Sequence, residues 1–300
     1  MRNGVLTVIE LKNDELQVKI NEHGAELASV KSVDDQNEYM WQADPKFWGR
    51  HAPVLFPIVG RLKDDQYTVN GQTYHMTQHG FARDMDFMVI EHENDHAVFQ
   101  LEADDETREK YPFEFTLQVT FTLDAHTLSV HYTVSNPSKD VTLPFSIGGH
   151  PAFNVPLEPG NGDFSDYFVT VAPKKAYQQI PLVGPYNDVQ HEKTLNLSTP
   201  MVLDHDLFDQ DALILDLDHV ETTLMLSTQL NDHGVALTLQ NAPYVGIWSP
   251  YPKRAPFVCL EPWWGIADNV ASDGEFTHKM DIHQTGPKES FNAGFQIRFF

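Results

Sequence analysis

A glutamate and a histidine in unusually apolar surroundings are the residues best suited to acid–base chemistry in this sequence. Glu261 stands in VCLEPWWGIAD (258–268), and His150 stands in FSIGGHPAFN (145–154). A carboxylate among apolar side chains is costly unless it is paired or functional, and partial burial tunes the pKa of a histidine. Glu261 could equally form a structural ion pair, and His150 could equally be a hydrogen-bonded core residue. If both are functional, they supply a general acid and a general base.

A second histidine lies in QHGFARD (78–84). The step from His79 to Gly80 lets the chain turn tightly and present the imidazole. His75 and His79 have the i, i+4 spacing that on a helix could bind a metal. The residues around them include threonine and tyrosine, which are poor helix formers, and no third ligand stands at a recognisable spacing. We therefore expect no metal site here.

An arginine closes the segment GRHAPVLFPIVGR (49–61), whose centre is apolar. The guanidinium of Arg61 is a planar donor that can clamp hydroxyl groups or anions. A surface ion pair is the alternative interpretation of an arginine in this position.

Alternation of polar and apolar residues dominates the elements that must position these groups. TLQVTFTL (116–123) and TLSVHYTV (127–134) flank a short turn and predict a hairpin with one buried face. The same alternation predicts further strands at Leu16, Val18 and Ile20; at Val235, Leu237 and Leu239; and at Phe295, Ile297 and Phe299. DDETREKY (104–111) is the best helical segment, because it is acidic at its start and basic near its end, and Pro112 would stop it.

Many strands separated by turns predict an all-β fold, a large antiparallel β-sandwich. The chain shows no low-complexity linker, no repeat of fixed period and no change in composition. We therefore expect one domain over residues 1–300.

Composition excludes several classes of partner. The net charge of −23 disfavours binding to nucleic acid and to anionic lipid, and neutral small molecules are not disfavoured. The single cysteine, Cys259, rules out an intrachain disulfide and fits a reducing compartment. No segment has the length or apolar core of a signal peptide or a membrane helix. We expect a soluble, cytoplasmic protein, either a monomer or a homodimer.

Together, these segments resemble the aldose 1-epimerase (galactose mutarotase-like) family, closest to its LacX-like branch. The resemblance covers essentially the whole chain, and GGHPAFN and LEPWWGIAD carry it most specifically. It implies the galactose mutarotase-like supersandwich with a sugar site in an open cleft. It also implies a free hexose as the small-molecule partner, interconversion of its α and β anomers, and no cofactor or metal.

The resemblance also assigns roles to particular residues. Glu261 resembles the catalytic base, His150 the general acid, and His79 the second histidine near the ring oxygen. Arg61 resembles the arginine that hydrogen-bonds sugar hydroxyls. The family also uses an aspartate to hydrogen-bond sugar hydroxyls. Asp211 is assigned to this role, and Asp209 is the rival. Three further residues of these segments are assigned to substrate binding: Trp263, Asn154 and Arg83. The segment DQDALI (209–214) stands where better-known members have a tyrosine-aspartate-histidine stretch. The identity of the sugar therefore stays open.

Other functions compete with this one. A hexose-6-phosphate 1-epimerase would need cations to bind its phosphate. Several cations lie in or beside the unusual segments: Arg50, Arg61, Arg83, Lys253 and Arg254. A non-catalytic carbohydrate-binding or sensor protein is an alternative of another class. A glycosidase is disfavoured, because it normally needs two carboxylates at the scissile bond.

Overall fold

The computed structural model describes residues 7–300. Strands of two to ten residues make up most of the regular structure in this range. In chain order they are β1 Val8–Lys12, β2 Leu16–Asn21, β3 Glu26–Ser32, β4 Val54–Leu55, β5 Gln66–Val69, β6 Gln72–His75, β7 Met88–His92, β8 His96–Glu102, β9 Thr116–Asp124, β10 Thr127–Ser135, β11 Leu143–Phe145, β12 Ile147–Gly149, β13 Ala152–Asn154, β14 Tyr167–Ala172, β15 Ala176–Ile180, β16 Leu182–Val183, β17 Tyr186–Asn187, β18 Lys193–Asn196, β19 Met201–Val202, β20 Leu213–Asp216, β21 Thr222–Thr228, β22 Gly234–Leu239, β23 Tyr244–Trp248, β24 Phe257–Trp264, β25 His283–Thr285 and β26 Ser290–Phe299.

Helical structure in the same range is limited. One α-helix, α1, spans Asp105–Lys110, inside the predicted segment 104–111. Asp104 caps it by accepting a hydrogen bond from the N–H of Thr107 at 2.8 Å, which satisfies one of the free donors at a helix start. Single 3-10 turns are found at Lys63–Asp65, Ala82–Asp84, Phe164–Asp166, Val189–His191, His205–Phe208 and Phe276–His278. Among the described residues, no helix has the length and apolar character needed to cross a membrane.

Two large antiparallel sheets form the body of the fold. The first has nine strands in the order β19-β14-β21-β22-β26-β10-β9-β8-β7. The second runs β18-β15-β20-β23-β24-β12-β4, and β13 also pairs with β24. Their inner faces enclose a large apolar core. The predicted all-β antiparallel sandwich is therefore confirmed.

The predicted hairpin lies in the interior of the nine-stranded sheet, between β26 and β8. β9 and β10 pair with Leu117 opposite Val134 and Phe121 opposite Val130, and these side chains are buried. Strand β26 pairs with the other edge of β10. Its residues Phe295, Ile297 and Phe299 point into the core, as their alternation predicted.

Strand β24 is buried on both faces. Val258, Leu260 and Trp264 belong to the main core between the sheets. The alternate residues Phe257 and Cys259 belong to a separate apolar cluster on the opposite face. Because side chains alternate along a strand, Glu261 lies on the same face as Phe257 and Cys259. That face is the floor of the cleft described next.

Candidate active site

A cleft of about 330 Å³ lies over this face of the second sheet. Its lining combines aromatic side chains with a few polar groups, as is usual in ligand sites. The lining residues are Trp48, Gly60, Gln78, His79, Arg83, His150, Leu182, Pro185, Asp211, Ala212, Ile214, Trp248, Glu261, Trp263 and Ala267. A larger cavity of about 550 Å³ lies along β10, β22 and β26, but its lining contains no carboxylate. The smaller cleft is therefore the candidate active site.

His150 and Glu261 meet at the floor of this cleft. Nε2 of His150 lies 3.0 Å from Oε2 of Glu261, and the two side chains are only 9% and 2% exposed. The local chain path explains the contact. β12 and β13 both pair with β24, on either side of Glu261, so the intervening His150 is carried past the carboxylate. The structure thus brings together the two residues that sequence analysis had singled out.

The two glycines before His150 are needed for close packing. A Cβ atom on Gly148 would lie 2.8 Å from the carbonyl oxygen of Pro262. A Cβ atom on Gly149 would lie 2.9 Å from the hydroxyl of Tyr132. Any larger residue would push β12 away from its neighbours and move His150 with it.

Burial shifts the pKa values of this pair in opposite directions. It raises the pKa of Glu261 well above its usual range, and the nearby Asp211 carboxylate adds to the shift. Burial lowers the pKa of His150 to about 3, and the positive charges of Arg83 and Arg50 act in the same direction. These opposite directions place the proton of the pair on the carboxyl group and leave the imidazole neutral.

His79 also lines the cleft, and both its backbone and its ring are held in place. It has a positive φ of 66°, and its Nδ1 accepts a hydrogen bond from the N–H of Gly60 at 3.1 Å. The next residue, Gly80, has φ +70°, and a Cβ there would lie 2.2 Å from the carbonyl oxygen of Phe56. The tight turn predicted at His79 is thus present.

The ring of His79 is a neutral donor that faces His150. The two ring centroids are 5.6 Å apart and the planes are perpendicular. Burial lowers the pKa of His79 well below its ordinary value, and the neighbouring His150 and Arg83 contribute to the shift. Since Nδ1 accepts the hydrogen bond from Gly60, the ring proton lies on Nε2.

Three other predicted residues also line the cleft: Asp211, Trp263 and Arg83. Asp211 has a positive φ of 74°, and the protein around its carboxyl group displaces water and raises its pKa. The rival Asp209 is exposed and is not part of the lining. Arg83 donates from Nη2 to the carbonyl oxygen of Gln78 at 2.6 Å, and burial lowers its pKa to about 10.

Two predicted residues are held outside the lining. Nη1 of Arg61 donates to both carboxylate oxygens of Asp65, at 2.9 and 2.8 Å. Nδ2 of Asn154 donates to the carbonyl oxygens of Glu38 and Met40 at 2.8 and 2.9 Å. In this structure both side chains are occupied with partners away from the cleft.

Sequence reasoning missed two tryptophans and a glutamine. Trp48 stacks on the ring of His150 with centroids 4.8 Å apart, and Trp248 meets the same ring edge-on at 5.6 Å. Gln78 lines the cleft beside His79. Trp48 immediately precedes the segment 49–61, so extending that segment by one residue would have included it.

The histidine spacing at 75 and 79 does not correspond to a helix face. His75 is the last residue of strand β6 and is exposed, whereas His79 lies in the turn that follows and is buried. The i, i+4 relation therefore does not place the two rings on one surface.

A model of the family Aldose 1-epimerase matches residues 7–283. The chain belongs to the aldose 1-epimerase family. It is similar to the plasmid-encoded protein LacX of Lactococcus lactis subsp. lactis, with 30% identity over 96% of this chain and 98% of that protein. It is also similar to the galactose mutarotase of Rattus norvegicus, with 26% identity over 56% of this chain and 53% of that protein.

Solved structures of relatives agree with this member of the aldose 1-epimerase family over nearly its whole length. A galactose mutarotase related enzyme from Lactobacillus acidophilus has a TM-score of 0.96 and 41% identity, and the match covers 98% of this chain and 97% of that chain. A galactose mutarotase-like protein from Lactobacillus casei has a TM-score of 0.89 and 35% identity, with 98% and 100% covered. The family resemblance noted in the sequence and the LacX-like relationship are therefore confirmed.

Proposed function

We propose that this protein is an isomerase that interconverts the α and β anomers of a free aldose, with Glu261 and His150 as its acid–base pair. The observation that carries the proposal is the 3.0 Å contact between these two side chains at the floor of a polar-aromatic cleft. Anomer interconversion needs a base for the O1 proton and an acid for the ring oxygen, and a carboxyl–imidazole pair supplies both.

In the proposed reaction, the Glu261 carboxylate takes the proton of the C1 hydroxyl while protonated His150 donates a proton to the ring oxygen. The C1–O5 bond breaks, and the open aldehyde rotates about C1–C2. The ring closes on the other face of C1 as both protons return. The pair carries no net charge whether its proton lies on the carboxyl group or on the imidazole. Proton movement within the pair therefore converts the resting neutral form into the reactive form without adding net charge to a buried site.

Other residues of the cleft would orient the sugar. Neutral His79 can donate from Nε2 to the ring oxygen or to the aldehyde oxygen. The apolar C–H face of a pyranose suits the aromatic walls made by Trp48, Trp248 and Trp263. Asp211 and Arg83 present an acceptor and a donor for hydroxyl groups.

Charge pairing favours an unphosphorylated sugar. Arg50 is bound to Asp84 at 2.7 Å, and Arg61 is bound to Asp65 at 2.8 Å. Nζ of Lys253 donates to the carbonyl oxygen of Phe47. Most of the cations that could serve a phosphate are thus already partnered, and of these only Arg83 lines the cleft. A hexose-6-phosphate 1-epimerase would need several free cations at one place.

The test is polarimetry on freshly dissolved α-D-glucose and α-D-galactose, with glucose 6-phosphate as a parallel substrate. We expect the protein to accelerate mutarotation of at least one free sugar. Glu261→Gln and His150→Asn should each lower kcat by ~10²–10⁴-fold. Asp209→Asn, an exposed carboxylate two residues from Asp211, is the matched control and should retain wild-type turnover.

Three results would contradict the proposal in different ways. Near wild-type turnover in Glu261→Gln or His150→Asn would remove the acid–base assignment. Acceleration confined to glucose 6-phosphate would favour the hexose-6-phosphate activity. Sugar binding without any acceleration would favour a carbohydrate-binding or sensor protein.

A further inference from the structure

We propose that Cys259, Glu261 and His150 form a binding site for a thiophilic divalent cation such as Zn²⁺, and that an ion bound there blocks the sugar cleft. Binding of the ion is independent of the proposed function. Inhibition by the ion rests on that function, because it assumes that Glu261 and His150 catalyse the reaction.

The backbone places the three donors together. Cys259 and Glu261 are two residues apart on β24, so their side chains lie on the same face. His150 approaches that face from the segment between β12 and β13. The thiol sulfur, one carboxylate oxygen and one imidazole nitrogen all lie within 4.8 Å of one another, and all three residues are buried.

These distances are close to those of a zinc site. With Zn–S, Zn–N and Zn–O bonds of about 2.3, 2.0 and 2.1 Å, tetrahedral geometry puts the donor atoms roughly 3.3–3.6 Å apart. The nitrogen–oxygen separation of 3.0 Å is already near this range. Since no two of the three donor atoms are more than 4.8 Å apart, shifts of about 1.5 Å or less would bring the sulfur into this range.

The chemistry of the donors selects the class of ion. Binding of the ion would release the protons of the Cys259 thiol and the Glu261 carboxyl group to solvent, because metal ligands must be deprotonated. The resulting thiolate, with an imidazole and a carboxylate, is a soft-to-borderline set that suits Zn²⁺, Co²⁺ or Cd²⁺. Mg²⁺ and Ca²⁺ require several oxygen ligands, which this set does not provide. Three protein ligands would leave a fourth position open toward the cleft, where a water molecule or a sugar hydroxyl could bind.

Aromatic residues around the site would hold the ligands in place. The ring of His150 is stacked on Trp48, and Trp48 is in turn stacked on Phe257 at 5.8 Å. Trp248 pairs with Cys259 across β23 and β24. An ion at this point would occupy the Glu261 oxygen and the His150 nitrogen that the proposed reaction needs.

The experiment titrates metal-free protein with Co²⁺ and follows the thiolate-to-cobalt charge-transfer absorption in the near ultraviolet. Zn²⁺ binding is measured in parallel by calorimetry. Loss of ligand-supporting residues typically lowers metal affinity by ~10–100-fold, and loss of a ligand itself should cost at least ~100-fold. We therefore expect Cys259→Ala to lose the absorption band and to weaken Zn²⁺ binding by that factor.

Two further variants keep the result interpretable. Cys259→Ser preserves the size of the side chain and should likewise lose the absorption band and the high affinity for Zn²⁺. His75→Ala removes an exposed histidine and should leave the band and the affinity unchanged. Zn²⁺ should inhibit mutarotation by the wild-type protein, and a chelator should restore it. Cys259→Ala should keep its activity and resist the metal.

The outcomes separate this proposal from the proposed function. Absence of the thiolate band, or equal Zn²⁺ affinity and inhibition in wild type and Cys259→Ala, would overturn the metal site. If no sugar is turned over, the cobalt spectrum still decides whether the three residues bind the ion.

Discussion

Nδ1 of His79 accepts its hydrogen bond from the backbone N–H of Gly60, at 3.1 Å. A backbone N–H can only donate, so Nδ1 carries no proton and the ring presents Nε2–H to the cleft. The backbone N–H of His79 also donates to the carbonyl oxygen of Gly60 at 2.7 Å. Two bonds between the same residues therefore fix both the turn and the tautomer.

Substitution of Gly60 should disturb this arrangement. Gly60 has φ +71°, and a Cβ there would lie 2.5 Å from the Cβ of Ala267. Gly71 has nearly the same φ, +77°, with nothing within 4 Å of its virtual Cβ. Gly71→Ala should lower the free energy of unfolding by only about 1–2 kcal/mol, the cost of the left-handed backbone. Gly60→Ala should lower the free energy of unfolding by the same backbone cost plus an overpacking cost of about 1–3 kcal/mol. Urea unfolding measures both losses. Equal losses in the two variants would show that the chain relaxes around position 60.

The pH dependence of stability should report the buried state of His79. In the folded protein its pKa lies well below the ordinary 6.5, so below pH 6.5 the unfolded chain binds a proton that the folded chain does not. The contribution of His79 to stability is therefore complete above pH 6.5 and is lost as the pH falls toward the folded pKa. Below pH 6.5 the free energy of unfolding should depend less steeply on pH in His79→Gln than in wild type, by up to about 1.4 kcal/mol per pH unit. The exposed His75→Gln is the control. The same slope in wild type and His79→Gln would mean that folded His79 takes up the proton.

A buried ion pair anchors the loop beside Gly60. Nζ of Lys279 lies 3.0 Å from Oδ1 of Asp268, and the side chains are 2% and 4% exposed. The other oxygen of Asp268 accepts from the N–H of Lys63 at 2.9 Å. Lys279→Met leaves the carboxylate buried and unpaired, and should cost about 3–5 kcal/mol of unfolding free energy.

Two further variants test that explanation. Lys110 forms an exposed i, i+4 pair with Glu106, so Lys110→Met should change stability by about 0.5 kcal/mol or less. The double variant Asp268→Asn, Lys279→Met should be more stable than Lys279→Met alone, because no buried charge remains. A double variant as unstable as the single one would indicate that packing of the lysine stem, not charge, is responsible.

The two arginines proposed for sugar binding should differ in their effect on KM. Arg83 lines the cleft, whereas Arg61 is held by both oxygens of Asp65. Arg83→Met should raise KM for the free sugar by about 10-fold, the value of one hydrogen bond to a charged group. Arg61→Met should raise KM by less than about 3-fold. The reverse order, measured by initial-rate polarimetry, would indicate that Arg61 leaves Asp65 when the sugar binds.

The sequence by itself determined the elements whose signals are local. Alternation at period two specified the β9–β10 hairpin and the face that it buries. Helix α1 followed from its charge pattern and from Pro112, because these features act within a few residues of the helix ends. Glu261 and His150 stood out because an ionisable group in an apolar segment is costly wherever the chain folds. His79 stood out because the glycine that follows it allows a tight turn.

Only the tertiary structure decided which groups share the cleft. The contact between His150 and Glu261 depends on β12 and β13 pairing along β24, a long-range register that no local pattern encodes. Arg61 and Asn154 were suggested by motif position, but their present partners depend on how the 3-10 turn at Lys63–Asp65 and the segment 38–40 fold back. Trp48 joins the cleft from a loop without periodicity. A side chain binds the partner that the assembled fold places nearest, and that competition is settled by three-dimensional distance, not by spacing along the chain.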